Sequence, residues 1–95
     1  ADAGAFSMVL EGVLESLAQA VTQTVDIPVI GIGASADCDG QVLVTDDMLG
    51  MFDRVPRFVK RYHEVANEIV DAASQYAADV RSRSFPTQDQ TYQPK

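Results

Sequence analysis

Three short apolar runs constrain the fold of this chain more than any other feature: Met8-Val9-Leu10, Val29-Ile30-Gly31-Ile32 and Val42-Leu43-Val44. None alternates apolar with polar residues, as a strand with one wet face does. Continuous runs belong to strands covered on both faces, the pattern of parallel sheets. Strands are therefore predicted in "AFSMVL" (5–10), "PVIGIG" (28–33) and "QVLVT" (41–45). Between the first two, residues 13–25 place Leu14, Leu17, Ala18, Val21 and Val25 on one helical stripe. Asp26 ends that helix, and Ile27 is biased to extended geometry by Pro28. The turn-rich "ASADCDG" follows the second strand, "DDMLGM" reads as a single helical turn, and residues 55–83 carry one or two helices with Pro56 at a helix start. Strand and helix alternating in this way predict an α/β fold on a parallel sheet, with each strand's carboxyl end opening into a glycine- or acid-containing loop.

At 95 residues the chain supports one modest domain, burying roughly 60–65% of its unfolded surface if it folds alone. Residues 1–86 are assigned to it, and residues 87–95, polar and close to Pro86, to a peripheral tail. No apolar run is long enough to cross a membrane. A net charge of −7 argues against nucleic acid and anionic membranes as partners, because phosphate binding needs clustered Lys and Arg. Cys38 is the only cysteine; it forms no internal disulfide, no neighbouring base activates it, and a reducing cytoplasm is the expected setting. The opening "ADAGAF" lacks the basic start and apolar centre of a secretory signal.

Several motifs fail on physical grounds. Gly31-Ile32-Gly33-Ala34-Ser35-Ala36 imitates a dinucleotide fingerprint, but that fingerprint must open a helix, whereas Asp37, Asp39 and Gly40 lead into another strand. "SADCDG" follows a strand and ends without the bidentate glutamate of a calcium loop. His63 is the lone histidine, with no partner set for zinc, and is expected on a helix surface. Asp46 and Asp47 are read as a helix cap before Met48 in preference to metal ligands. No metal site is expected within this chain.

Glu11 is different. Strand alternation puts Ser7, Val9 and Glu11 on one face, with Glu11 last, at the carboxyl end. A carboxylate hemmed by apolar neighbours there is suited to serve as a general base, since desolvation raises its proton affinity. A solvated glutamate near the positive end of the following helix is an equal alternative on spacing alone.

The runs "AFSMVLEGV", "IPVIGIGA", "CDGQVLVTDDMLG" and "FVKRY", in this order, resemble the C-terminal region of the ketopantoate hydroxymethyltransferase family. The resemblance covers nearly the whole chain, and is most specific at Val9–Glu11 and at Ile27–Ala34 with the D-G-Q-x-L-V that follows. Gln75 to Val80 and the Phe85-Pro86 step continue it. It implies the C-terminal part, about three βα units, of a (βα)8 TIM barrel. It also implies an enzyme of pantothenate biosynthesis that transfers a hydroxymethyl group from 5,10-methylenetetrahydrofolate to 3-methyl-2-oxobutanoate with magnesium. Glu11 matches the family's catalytic base.

The family's magnesium-binding aspartates and substrate-contacting lysine match no position here, so the metal ligands are expected upstream and the substrate-binding residues stay unassigned. Leu14 replaces a common proline, Ser35 a usual glycine, and Ala66-Asn67 stand where glycine is expected, which lets the last helices merge. Three parallel strands do not close a barrel, so the missing barrel half, a second chain or self-association into a homo-oligomer is expected to cover them. The helix from Val65 to Arg83 is a candidate interface element, and the chain alone is expected to be inactive. The alternatives are a non-catalytic interaction fragment and another barrel enzyme with a carboxylate base.

Overall fold

The computed structural model describes residues 1–95. Contacts divide the chain into two compact units, Ala1–His63 and Glu64–Lys95.

The first unit is built on a three-stranded parallel sheet of order β1-β2-β3, with β1 at Met8–Glu11, β2 at Val29–Ile32 and β3 at Gly40–Gln41. Helix α1, Glu15–Thr24, forms the crossover between the first two strands. Its apolar stripe delivers Ala18, which is fully buried with Val29 of β2. Those two small side chains are the centre of the core. Thr22 and Thr24 turn their hydroxyls back onto the carbonyls of Ala18 and Ala20, at 2.7 and 2.6 Å, which satisfies polar groups that a helix would otherwise leave to water.

The strands are shorter than predicted, for reasons set by pairing. Met8 lies opposite Val29, so Ala5–Ser7 face the turn around Pro28 instead of a ladder, and the strand moves toward Glu11. β3, at Gly40–Gln41, overlaps the expected strand only at Gln41. Val42 still donates to Gly31 O at 3.0 Å. Beyond it the partner is gone, because β2 turns away through Gly33 and Ala34, both left-handed at φ 65° and 59°.

Helix α2, Thr45–Met48, starts one residue earlier than expected. Its N-cap is Val44 and no side chain caps it, so Asp46 and Asp47 lie in the first turn as charges at the positive helix end, and the capping role expected of them is not realised. The helix predicted from Pro56 is also absent. A turn forms instead, with Val59 N–H on Pro56 O at 3.0 Å, and the following backbone is held by tertiary bonds: Tyr62 N–H to Met48 O at 2.8 Å and Arg61 Nη2 to Asp53 O at 3.1 Å. His63 is exposed just ahead of the next helix, not on it.

The second unit is helix α3, Val65–Ser82, and the segment after it. Ala66-Asn67 lie in the first turn of α3, and with no helix between α2 and Val65 the expected merging of two helices does not occur. Helix α3 ends at Arg83, left-handed at φ 61°, with Ser84 N–H bonded to Asp79 O at 2.9 Å, a C-terminal closure that glycine usually makes. Tyr76 and Phe85 meet edge to face with centroids 5.5 Å apart. A short 3₁₀ turn at Gln88–Gln90 is closed by a Thr87–Gln90 capping box.

Two glycines test the backbone reading. Gly12 has φ 66° with open space where a Cβ would stand, whereas at Gly33, φ 65°, a Cβ would come within 2.8 Å of Phe58 Cβ. Gly12→Ala is expected to cost about 1 kcal/mol for the left-handed backbone alone. Gly33→Ala is expected to cost clearly more in urea denaturation, because Phe58 must also move.

Candidate active site

Glu11 is the last residue of β1 and pairs with Ile32, the last residue of β2. Paired residues of parallel strands share a face, so Val9, Glu11, Ile30 and Ile32 project from one side of the sheet, and Met8, Leu10, Val29 and Gly31 from the other. The second side is covered: Val29 and Gly31 are buried. The first is open, with Val9 at 56% exposure, Ile30 and Ile32 partly exposed, and Glu11 exposed at its carboxyl end.

The turn after Glu11 separates it from α1. Gly12 takes the left-handed conformation, Leu14 is the N-cap without a side-chain cap, and the acid in the first helical turn is Glu15. The negative charge at that helix terminus is thus supplied by Glu15, which leaves Glu11 to the open sheet face.

Asp37 and Asp39 serve structure. The Asp39 carboxylate accepts from Val29 N–H at 2.8 Å, tying the approach of β3 to the start of β2, and Asp37 accepts from Gln19 Nε2 at 2.8 Å. The Ser35 hydroxyl accepts from Asp37 N–H at 3.1 Å, and Ser35 O accepts from Gln41 Nε2 at 2.9 Å. The Gly31–Ala36 loop runs into β3 without opening a helix, so it lacks the anion site of a dinucleotide fold. No three His, Cys, Asp or Glu side chains converge as a metal-donor set. Cys38 is half-buried, 3.8 Å from the Thr22 hydroxyl.

Beyond Ile32 the carboxyl ends of the strands border a feature that periodicity did not reveal. Phe58 packs against Gly33, and the extended chain after it carries Lys60 and Tyr62 along a cavity of about 400 Å³ that Leu43 and Met48 also line. Lys60 Nζ stands 4.8 Å from the centroid of the Tyr62 ring. The signals were present as the paired Gly31 and Gly33 and as "FVKRY", but a helical reading of residues 55–63 concealed them.

The family model described as ketopantoate hydroxymethyltransferase matches residues 1–88. The chain belongs to the ketopantoate hydroxymethyltransferase family. Over its full 95 residues it is 66% identical to a 3-methyl-2-oxobutanoate hydroxymethyltransferase of Novosphingobium aromaticivorans, covering 33% of that protein. Similar proteins of the same name occur in Sphingopyxis alaskensis, 67% identical over 92 residues that are 97% of this chain and 32% of the relative, and in Caulobacter vibrioides, 63% identical over 95 residues that are the whole of this chain and 34% of the relative. The chain thus spans about a third of the length of the curated relatives it matches. No helix is long and apolar enough to cross a membrane.

The local role of Asp39 is directly testable. Asp39→Ala removes the acceptor of a partly buried backbone N–H, and is expected to lower stability by about 1–3 kcal/mol in chemical denaturation. Asp37→Ala, which breaks only an exposed side-chain contact, is expected to change it by less than about 0.5 kcal/mol.

Proposed function

We propose that this chain is the C-terminal part of a (βα)8 barrel enzyme that transfers a hydroxymethyl group from 5,10-methylenetetrahydrofolate to 3-methyl-2-oxobutanoate, giving ketopantoate, with Glu11 as the general base. Membership of the family supports the activity. The observation that carries the assignment of Glu11 is its place as the final residue of a parallel strand, on an open apolar face. In barrels of this kind the reactive groups stand at the carboxyl ends of the strands.

In this reading the remaining strands cover the open face, so that Val9, Ile30 and Ile32 become the lining beneath the reacting carbon. Glu11 takes the proton from C3 of the keto acid; the C–H electron pair becomes the enolate, which forms a C–C bond to the one-carbon unit. With one water, that unit becomes the hydroxymethyl group and tetrahydrofolate is released. A carboxylate is suited to the first step when it is positioned within hydrogen-bond reach of the proton it abstracts. Magnesium would be held by segments outside these residues. The enzyme would act in the cytoplasm as a homo-oligomer, and the isolated 95 residues would be inactive.

Glu11→Gln in the full-length enzyme keeps the shape of the side chain and removes its ability to accept a proton. Exchange of the C3 proton in deuterated water and overall transfer are both expected to fall by roughly 10²–10⁴-fold. The KM for the keto acid is expected to change far less, because the lost interaction belongs to the transition state. Near-normal C3 exchange in the folded variant would contradict the assignment.

A further inference from the structure

Resting on this hydroxymethyl-transfer reading, we infer that the cavity between Lys60, Tyr62, Met48 and Leu43 holds the p-aminobenzoyl-glutamate end of the reduced folate, with a glutamate carboxylate on Lys60 and the benzoyl ring against Tyr62. Three observations carry it.

The first is position. Gly33, which borders the cavity, directly follows Ile32, and Ile32 is the residue paired with Glu11. A molecule lying there can present its one-carbon end toward the carboxyl end of β1 while its far end extends along residues 58–62. The second is size. A cavity of about 400 Å³ falls in the range that takes ligands much larger than a five-carbon keto acid, typically about 300–1,000 Å³. The third is chemistry. Lys60 is the only charged residue among the lining groups, its ammonium sits 4.8 Å from the Tyr62 ring, and the rest of the wall is largely apolar. A cation beside an aromatic face suits a ligand that carries an anion next to a flat ring. The keto acid offers the anion without the ring.

The segment is also held for such a role. Phe58 is seated on Gly33, and Tyr62 N–H is bonded to Met48 O at 2.8 Å, so the stretch bearing Lys60 is tied to the end of β2 on one side and to the end of α2 on the other. Yet Tyr62 is 67% exposed, which leaves its ring available to stack on a ligand.

The test is calorimetric titration of the full-length enzyme with tetrahydrofolate and with tetrahydropteroate, which lacks the glutamate. Lys60→Gln is expected to weaken tetrahydrofolate about tenfold, as loss of one charge-assisted hydrogen bond does, and to leave tetrahydropteroate within about twofold of the parent. Lys60→Arg is expected to restore most of the affinity, and Tyr62→Leu to weaken both ligands. Equal tetrahydrofolate affinity in the parent and Lys60→Gln would overturn the inference while the transfer reading stands. So would an equal loss for both ligands. A parent enzyme that binds no tetrahydrofolate would overturn the transfer reading and the inference together. The Glu11 assignment is read separately, from C3 exchange.

Discussion

The parallel ladder between β1 and β2 is the interaction on which the rest of the first unit depends. Because Met8 pairs with Val29 and Glu11 with Ile32, a slip of one residue would turn every side chain of β1 to the opposite face. Glu11 would then point toward α1, and Leu10 toward the open side. The register is held from the covered face, where Ala18 and Val29 are fully buried against each other's elements. It is also held from its ends: Met8 N–H donates to Pro28 O, and Asp39 takes the Val29 N–H. Packing on one side of the sheet thus decides which acid stands on the other.

That other side explains the unusual surface of so short a chain. Val9, Val42 and Val44 are 56, 47 and 59% exposed, and both β1 and β3 present an unpaired edge. Exposed strand edges and apolar sheet faces are features that proteins cover. A polypeptide three times as long, as the family relatives are, has the additional segments to cover them. Within the second unit, helix α3 likewise leaves Ile69, Val70, Tyr76 and Val80 exposed, an apolar surface that a helix in a complete protein buries.

Much of this was legible in the residues. The apolar runs located β1 and β2 and placed a third strand near β3, the Leu14–Val25 stripe specified the crossover helix, and Val65–Ser82 was readable as a helix from its periodicity. What could not be read was where pairing stops. Leu43 and Val44 have strand-forming side chains, but whether they form a ladder depends on β2 continuing beside them, and β2 ends in two left-handed residues. Residues 55–63 failed in the opposite direction. Pro56 and the charged residues after it are compatible with a helix, yet the contact of Phe58 on Gly33 and the bond from Tyr62 to Met48 outweigh that local preference. For the site, spacing alone left Glu11 divided between base and helix charge. The structure adds that the acid in the first turn of α1 is Glu15, a residue that the strand pattern did not single out.

The central claim is that the open face and both edges of this sheet are internal surfaces of a closed barrel, and amide hydrogen exchange tests it most directly. Met8 N–H points to β2 and Val42 N–H to Gly31, so strand alternation turns the amides of Val9, Glu11 and Gln41 toward the free edges. In the full-length protein a closed barrel predicts that these three amides are protected about 100-fold or more over the isolated chain, as ladder bonds that open only with the fold. Unprotected exchange at Val9, Glu11 and Gln41 in the folded full-length protein would contradict it.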